Sequence, residues 1–188
     1  MQAEEVKQYI QHAEELMEHA LDHLQKELTK VRAGKASTGM LEGLMVSYYG
    51  TPTPINQVAN VATSDARTLV IQPWEKNMLG PIEKAIFEAN LGITPQNDGE
   101  VVRLSIPPLT EERRKEMVKK SKGLGEDAKV SIRNARRDGM EHIKKAVKNG
   151  FPEDMGKAKE AEIQKMTDQY ISKIDHLIEV KEKDIMTV

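Results

Sequence analysis

Val130-Ser131-Ile132-Arg133-Asn134-Ala135-Arg136-Arg137-Asp138 lies in a proline-free run between Pro108 and Pro152, and its periodicity decides the fold. At about 100° per residue, Arg133 and Arg137 stand one turn apart with Arg136 beside them. Lys115, Lys119, Lys122, Lys129, Arg133, Arg136 and Lys144 extend that face. Met117, Ser121, Leu124, Ala128, Ile132, Ala135, Gly139, Ile143 and Ala146 form an apolar and small row roughly 130° away around the cylinder. One long helix, from a cap at Thr110 to about Lys148, can therefore pack on a core and turn cations outward. Glu111 and Glu112 suit its positive end. Asn149-Gly150-Phe151-Pro152 reads as its stop.

Two further helices follow from the same argument. Val6, Ile10, Ala13, Met17, Ala20, Leu24, Leu28 and Val31 recur at steps of three and four over residues 3–31, with Gly34 as a place to end. Ile163, Tyr170, Ile174, Leu177, Ile178 and Ile185 make an inner face over about 156–186. Gly123 and Gly125 each cost about 1 kcal/mol inside a helix, which allows a local bend near Leu124.

Between the first helix and the other two, the character changes. Seven of the eight prolines fall between Pro52 and Pro108. Strands are expected at Leu44–Tyr49, Gln57–Thr63, Thr68–Ile71 and Val101–Ile106, with Gly50-Thr51-Pro52-Thr53-Pro54 and Asn97-Asp98-Gly99 as turns or loops. One short helix fits Met78–Asn90, with Gly92 as its stop. The fold class is α+β: an antiparallel three-helix bundle of residues 1–31 and 107–188, carrying residues 32–106 as a small inserted β/α/β domain. Two connections, near Val31–Lys35 and Ser105–Pro108, would act as a hinge.

Charge localises the chemistry. The net charge of the 188 residues is −2, yet residues 110–150 carry +6 against −4 in residues 1–30 and −3 in residues 151–188. Such a basic segment on an acidic chain suits a polyanion, and guanidinium forks fit phosphate as ammonium does not. Lysine and arginine also decorate helices merely for solubility, but the arginine-rich cluster and the unbalanced surplus of six charges on its segment favour RNA.

Catalysis finds little support. There is no cysteine, which removes disulfides, thiolate metal sites and a thiol nucleophile. His19 and His23 have the spacing of a helical metal pair, but Ala20 stands where a zinc protease needs its glutamate. His12, His142 and His176 lack evident partners. Gly34-Lys35-Ala36-Ser37 echoes a phosphate loop, with Thr29 in place of the earlier glycine and Ala36 in place of the hydroxyl residue. Trp74 and Tyr48-Tyr49 could stack on a base, although packing is the favoured reading. No enzyme, cofactor or metal is expected. The acidic start, Met1-Gln2-Ala3-Glu4-Glu5-Val6, has no signal core, and no apolar run approaches a membrane span, so a cytoplasmic, monomeric protein is expected.

Several blocks resemble the bacterial ribosome recycling factor family: Val46-Ser47-Tyr48-Tyr49-Gly50-Thr51-Pro52-Thr53-Pro54-Ile55-Asn56-Gln57, Ala66-Arg67-Thr68-Leu69-Val70-Ile71-Gln72-Pro73-Trp74, Asn97-Asp98-Gly99, Ile106-Pro107-Pro108-Leu109-Thr110-Glu111-Glu112-Arg113-Arg114, the arginine cluster, and Ile163-Gln164-Lys165-Met166-Thr167-Asp168. They are collinear over nearly the whole chain. The resemblance implies an L-shaped, hinged molecule that works with elongation factor G and GTP. It implies that post-termination ribosomes are split into subunits, with release of messenger RNA and deacylated transfer RNA. The bundle would lie on large-subunit ribosomal RNA at the intersubunit face. Arg133, Arg136 and Arg137 match the family's RNA-contacting arginines. Arg32 and Arg114 match further basic positions near the hinge, and Lys129 belongs to the same basic row. Arg32, Gly34, Ser105, Pro107 and Pro108 mark the hinge. Lys35 replaces the usual arginine, Thr38-Gly39 a proline-serine pair, and Gly139-Met140 an alanine-asparagine pair. The readings set against it are a general RNA-binding translation-associated factor, a coiled-coil adaptor, and a metal-dependent hydrolase built on His19 and His23.

Overall fold

The computed structural model describes residues 2–187. In chain order it contains α1 (Gln2–Thr29), β1 (Met45–Tyr48), β2 (Thr51–Pro54), β3 (Ala59–Asp65), β4 (Thr68–Pro73), α2 (Leu79–Glu88), β5 (Pro95–Asn97), β6 (Val102–Ser105), α3 (Glu111–Lys148) and α4 (Glu153–Met186). Two compact units result. One holds the chain up to Val31 together with Arg113–Thr187; the other is Arg32–Glu112.

In the first unit, α1, α3 and α4 close on two adjoining apolar clusters. Val6, Ile10, Ile143, Phe151 and Ile163 form one; Met17, Leu21, Leu24, Leu28, Ala128, Ile132, Ala135, Tyr170 and Ile174 form the other. As numbers rise along α1 and α4 they fall along α3, so α3 runs antiparallel to both. Leu21 is buried where the sequence pattern favours Ala20, and Ala20 is only half-buried. The larger side chain wins the seam because burying it removes more apolar surface from water. Tyr170 is buried with its hydroxyl donating to Glu18 Oε2 at 2.6 Å. Desolvation, then the Glu18 carboxylate, hold its pKa well above the ordinary phenol value.

The turn between α3 and α4 is set by backbone chemistry. Gly150 takes φ +105°. The Gly150 amide donates to Val147 O at 3.1 Å and the Phe151 amide to Ala146 O at 2.9 Å. This pair of bonds satisfies two carbonyls at the helix end, and Phe151 drops into the core beside them. Gln2 Nε2 donates to Asn149 O at 2.7 Å, holding the start of α1 to the same turn.

Where the sequence allows a local bend near Leu124, the helices instead approach closely. α3 is continuous, and a Cβ on Gly125 would lie 2.7 Å from Ile178 Cγ1. Gly123 is exposed, with nothing within 4 Å of where a Cβ would stand. Gly123→Ala should therefore stabilise the bundle by about 1 kcal/mol, seen as a higher unfolding midpoint in urea; an unchanged or lower midpoint would contradict the assignment.

The second unit pairs β1 with β2 and, separately, orders four antiparallel strands as β3-β4-β6-β5. Leu69 and Ile71 of β4, Val102 and Leu104 of β6, and Ile82 and Ile86 of α2 share one core with Leu41, Val46, Ile55, Val58 and Met78. Strand β2 forms where the sequence predicts a turn, and β5 precedes the Asn97-Asp98-Gly99 turn in a segment to which the sequence assigns no element. Pro52 and Pro54 lie two apart, opposite Ser47 and Met45, so both missing N–H groups face the side of β2 away from β1 and remove no ladder bond. β5 is a three-residue edge strand beginning at Pro95. Of the aromatics expected to pack in the core or on the surface, Tyr48 packs against this core and Tyr49 lies edge-on to Tyr48 at 4.6 Å between ring centroids, while Trp74 is 66% exposed.

The expected domain boundary at 106/107 also shifts. The chain passes between units at Val31/Arg32 and Glu112/Arg113. Leu109 explains the later position: its side chain lies 3.1 Å from where a Cβ on Gly34 would stand, which ties the segment after Pro108 to the second unit. Helix α1 ends at Thr29, before Gly34, in a tightened turn where the Val31 amide donates to Leu28 O at 3.1 Å.

Candidate nucleic-acid interface

The buried stripe of α3 consists of Ser121, Gly125, Ala128, Ile132, Ala135, Gly139 and Ile143. Measured from its centre at 100° per residue, Arg136 lies about 55° away, Lys129 about 75°, Arg133 about 115° and Arg137 about 155°. The first two flank the core and reach α4; the other two stand in solvent. This ordering governs what each cation can do.

Arg133 and Arg137 are exposed, and Arg136 is half-buried. Arg136 donates from Nη1 to Gln164 Oε1 of α4 at 2.9 Å, and Gln164 Nε2 donates to Asp168 Oδ1 at 2.9 Å. Lys129 is held differently. Its ammonium lies 2.5 Å from Asp175 Oδ1 of α4 and 3.5 Å from Glu126 Oε1, with the side chain only 18% exposed. The hydrogen bond to Asp175 raises its pKa above the ordinary lysine value against the opposing effect of burial. Its charge is compensated within the bundle, whereas among the described residues the three arginines make no ion pair. Lys122, further along the row, pairs with Glu182 at 3.7 Å. Among the described residues Arg133, Arg136 and Arg137 make no ion pair, and they form one patch within two turns.

The remaining sequence-derived candidates are dispersed. Arg114 is half-buried at the start of α3, roughly 29 Å along the helix from Arg133. Arg32 belongs to the second unit, where Nη2 donates to Leu91 O at 3.0 Å and braces the loop after α2. Gly34 takes φ +73°. Ser105 ends β6 opposite Thr68, and the Ile106 amide donates to Arg67 O at 2.7 Å. Pro107 and Pro108 are exposed beyond that last bond.

Other expectations fare variously. His142, which has no evident partner in the sequence, stacks on Tyr9 at 4.1 Å between ring centroids and lies 3.6 Å from Asp138 Oδ1. Tyr9 comes from α1, far away along the chain, so no local pattern could reveal it. His19 and His23 are exposed on α1. Among the described residues, no group of three or more histidines, aspartates or glutamates is arranged to hold a metal. Among the same residues, no helix is long and apolar enough to cross a membrane. Sequence reasoning missed the part played by Gln164 and Asp168, although both lie in a block that carries the family resemblance.

Comparison with known proteins agrees with this organisation. The family model described as ribosome recycling factor matches residues 24–186. A ribosome-recycling factor of Porphyromonas gingivalis is 56% identical over 185 residues, covering 98% of this chain and 100% of the relative. One of Flavobacterium johnsoniae is 50% identical, covering 98% of this chain and 99% of the relative. A solution structure of the ribosome recycling factor superposes with a TM-score of 0.81 at 39% identity, covering 98% of each chain. A second structure, 43% identical with a TM-score of 0.66, covers 97% of this chain and 99% of that one. It comes from models for the T. thermophilus ribosome recycling factor and the E. coli elongation factor G bound to the E. coli post-termination complex. With long-helix bundle, inserted sheet domain and near-complete alignment in agreement, the chain belongs to the ribosome recycling factor family, a family of non-enzymatic translation factors.

Proposed function

We propose that this protein, with elongation factor G and GTP, splits post-termination ribosomes into subunits and so releases messenger RNA and deacylated transfer RNA. The observation that carries this reading is the patch of Arg133, Arg136 and Arg137, which make no ion pair among the described residues, on a helix braced by α1 and α4. The patch docks on phosphates of large-subunit ribosomal RNA at the intersubunit face, where charge-assisted contacts set register. Arg114 and Arg32 add basic contacts nearer the chain passages between units. Lys129 contributes by holding α3 to α4 rather than by meeting RNA. Nucleotide hydrolysis belongs to the partner, and this protein does no bond chemistry.

The residues around the two chain passages, Arg32, Gly34, Ser105, Pro107 and Pro108, form the hinge on which the inserted domain swings. The protein acts as a monomer in the bacterial cytoplasm. With about five phosphates neutralised, the slope of log affinity against log salt is about −4.

Light scattering of post-termination ribosomes tests the proposal. Adding this protein with elongation factor G and GTP should produce a fall in scattering as subunits separate. No fall, with a partner proven active alongside another recycling factor, would reject splitting and leave general RNA binding.

A further inference from the structure

Gln164, Asp168 and Asp175 follow one another at steps of four and seven, so they share one stripe of α4. This stripe faces two cations of α3 and treats them in opposite ways. Opposite Lys129 it presents a carboxylate, which neutralises the ammonium. Opposite Arg136 it presents a neutral amide, which accepts a hydrogen bond and leaves the positive charge intact.

The direction of that amide is not free. An ionised carboxylate only accepts hydrogen bonds, so Asp168 Oδ1 draws the Nε2 end of Gln164 toward itself at 2.9 Å. The carbonyl end is thereby turned to Arg136 Nη1, also at 2.9 Å. Among the described residues this is the hydrogen bond Arg136 makes, and it engages one of five N–H groups. A guanidinium held in this way loses less conformational freedom when it meets a phosphate.

We infer that Gln164, polarised by Asp168, is a positioning residue for the ribosome-docking face, aiming the Arg136 guanidinium while leaving its charge available to RNA phosphate. This inference rests on the docking proposed above. It assigns specificity to the residue type at position 164: a carboxylate there would hold Arg136 equally well and cancel the charge it carries.

The test uses the full-length protein and purified bacterial large ribosomal subunits, with affinity measured across a salt series. Wild type, Arg136→Ala, Gln164→Met and Gln164→Glu are compared, and both Gln164 substitutions are repeated on the Arg136→Ala background. Circular dichroism confirms that each variant is folded.

Gln164→Met should lower affinity about fivefold to tenfold with the salt slope unchanged, because the charge stays and only its orientation is lost. Gln164→Glu should lower affinity and also make the slope shallower by about 0.9, the value of one phosphate contact. On the Arg136→Ala background Gln164→Met should do nothing further, and the loss caused by Gln164→Glu should shrink to the direct repulsion between its new charge and RNA phosphate. A merely structural role for Gln164 would act on both backgrounds and would not distinguish Met from Glu by slope.

If Arg136→Ala weakens binding but both Gln164 variants match wild type, the inference is wrong and the docking face stands. Equal losses on both backgrounds would also overturn it. If Arg136→Ala itself binds as wild type, the docking reading fails first.

Discussion

Alanine at both Arg133 and Arg136 should reduce affinity for large ribosomal subunits by roughly 100-fold or more and abolish subunit splitting, with the bundle still folded. Hydrogen bonds to charged groups are worth about 1.5–3 kcal/mol each, and about 1.4 kcal/mol corresponds to a factor of ten. Two lost contacts therefore reach at least two decades. The salt slope should become shallower by about 1.8, because two fewer phosphates are neutralised. Folding should survive because Arg133 is exposed and Arg136 only half-buried. The loss at Arg136 strands Gln164 Oε1 near a solvent-accessible edge rather than deep in the core. Lys129→Ala provides the contrast. It should lower stability by breaking the Asp175 pair while leaving the salt slope nearly intact, since that charge is compensated before RNA arrives. Measured affinity, slope and unfolding midpoint for the two variants settle the division of labour. A double-arginine variant that binds and splits as wild type would end the account.

The second large effect concerns Gly139→Leu, which should destabilise the bundle by about 3 kcal/mol or more. Gly139 is buried on α3 between two neighbours. A Cβ there would lie 2.9 Å from Ile163 Cδ1 of α4 and 3.5 Å from Ala13 Cβ of α1. Three further carbons have no space unless α3 withdraws from both helices. Ile163 is wholly buried and Ala13 nearly so, so neither can move aside into solvent. Arg136 lies one turn before Gly139, so withdrawal of α3 would also break its bond to Gln164. Gly139→Ala is a different case. Its single methyl meets the far end of an isoleucine side chain, which can shift by a few tenths of an ångström. Helix propensity returns about 1 kcal/mol in favour of alanine. Urea unfolding should therefore place Gly139→Ala near wild type and Gly139→Leu far below; equal midpoints would mean that α3 and α4 are not so closely packed.

Much of the architecture was legible because it rests on periodicity. Six positions of the α1 seam, the span of α3 and the inner face of α4 follow from which residues recur every three or four places. The strands at Thr68–Pro73 and Val102–Ser105 were likewise legible, as the β-rich runs Thr68–Ile71 and Val101–Ile106. Elements whose residues argue against their own conformation were less legible. Thr51-Pro52-Thr53-Pro54 reads as a turn because proline cannot join a ladder, and only its position at the open edge of a two-stranded sheet makes the strand possible. Gly125 reads as a defect in a helix until Ile178 stands against it.

The arginine patch shows the same division. That Arg133, Arg136 and Arg137 share a helix face is a consequence of 3.6 residues per turn, and the local excess of positive charge is a matter of counting. The fate of each charge depends on a separate helix that begins only at Glu153. The linear sequence alone determined three long helices, an inserted sheet domain and a basic face, because backbone geometry and apolar spacing act over a few residues at a time. Tertiary structure alone decided that Lys129 is neutralised by Asp175 while Arg136 meets an uncharged amide. The physical reason is that charge compensation requires partners within a few ångströms, and that distance is set by how α4 packs against α3.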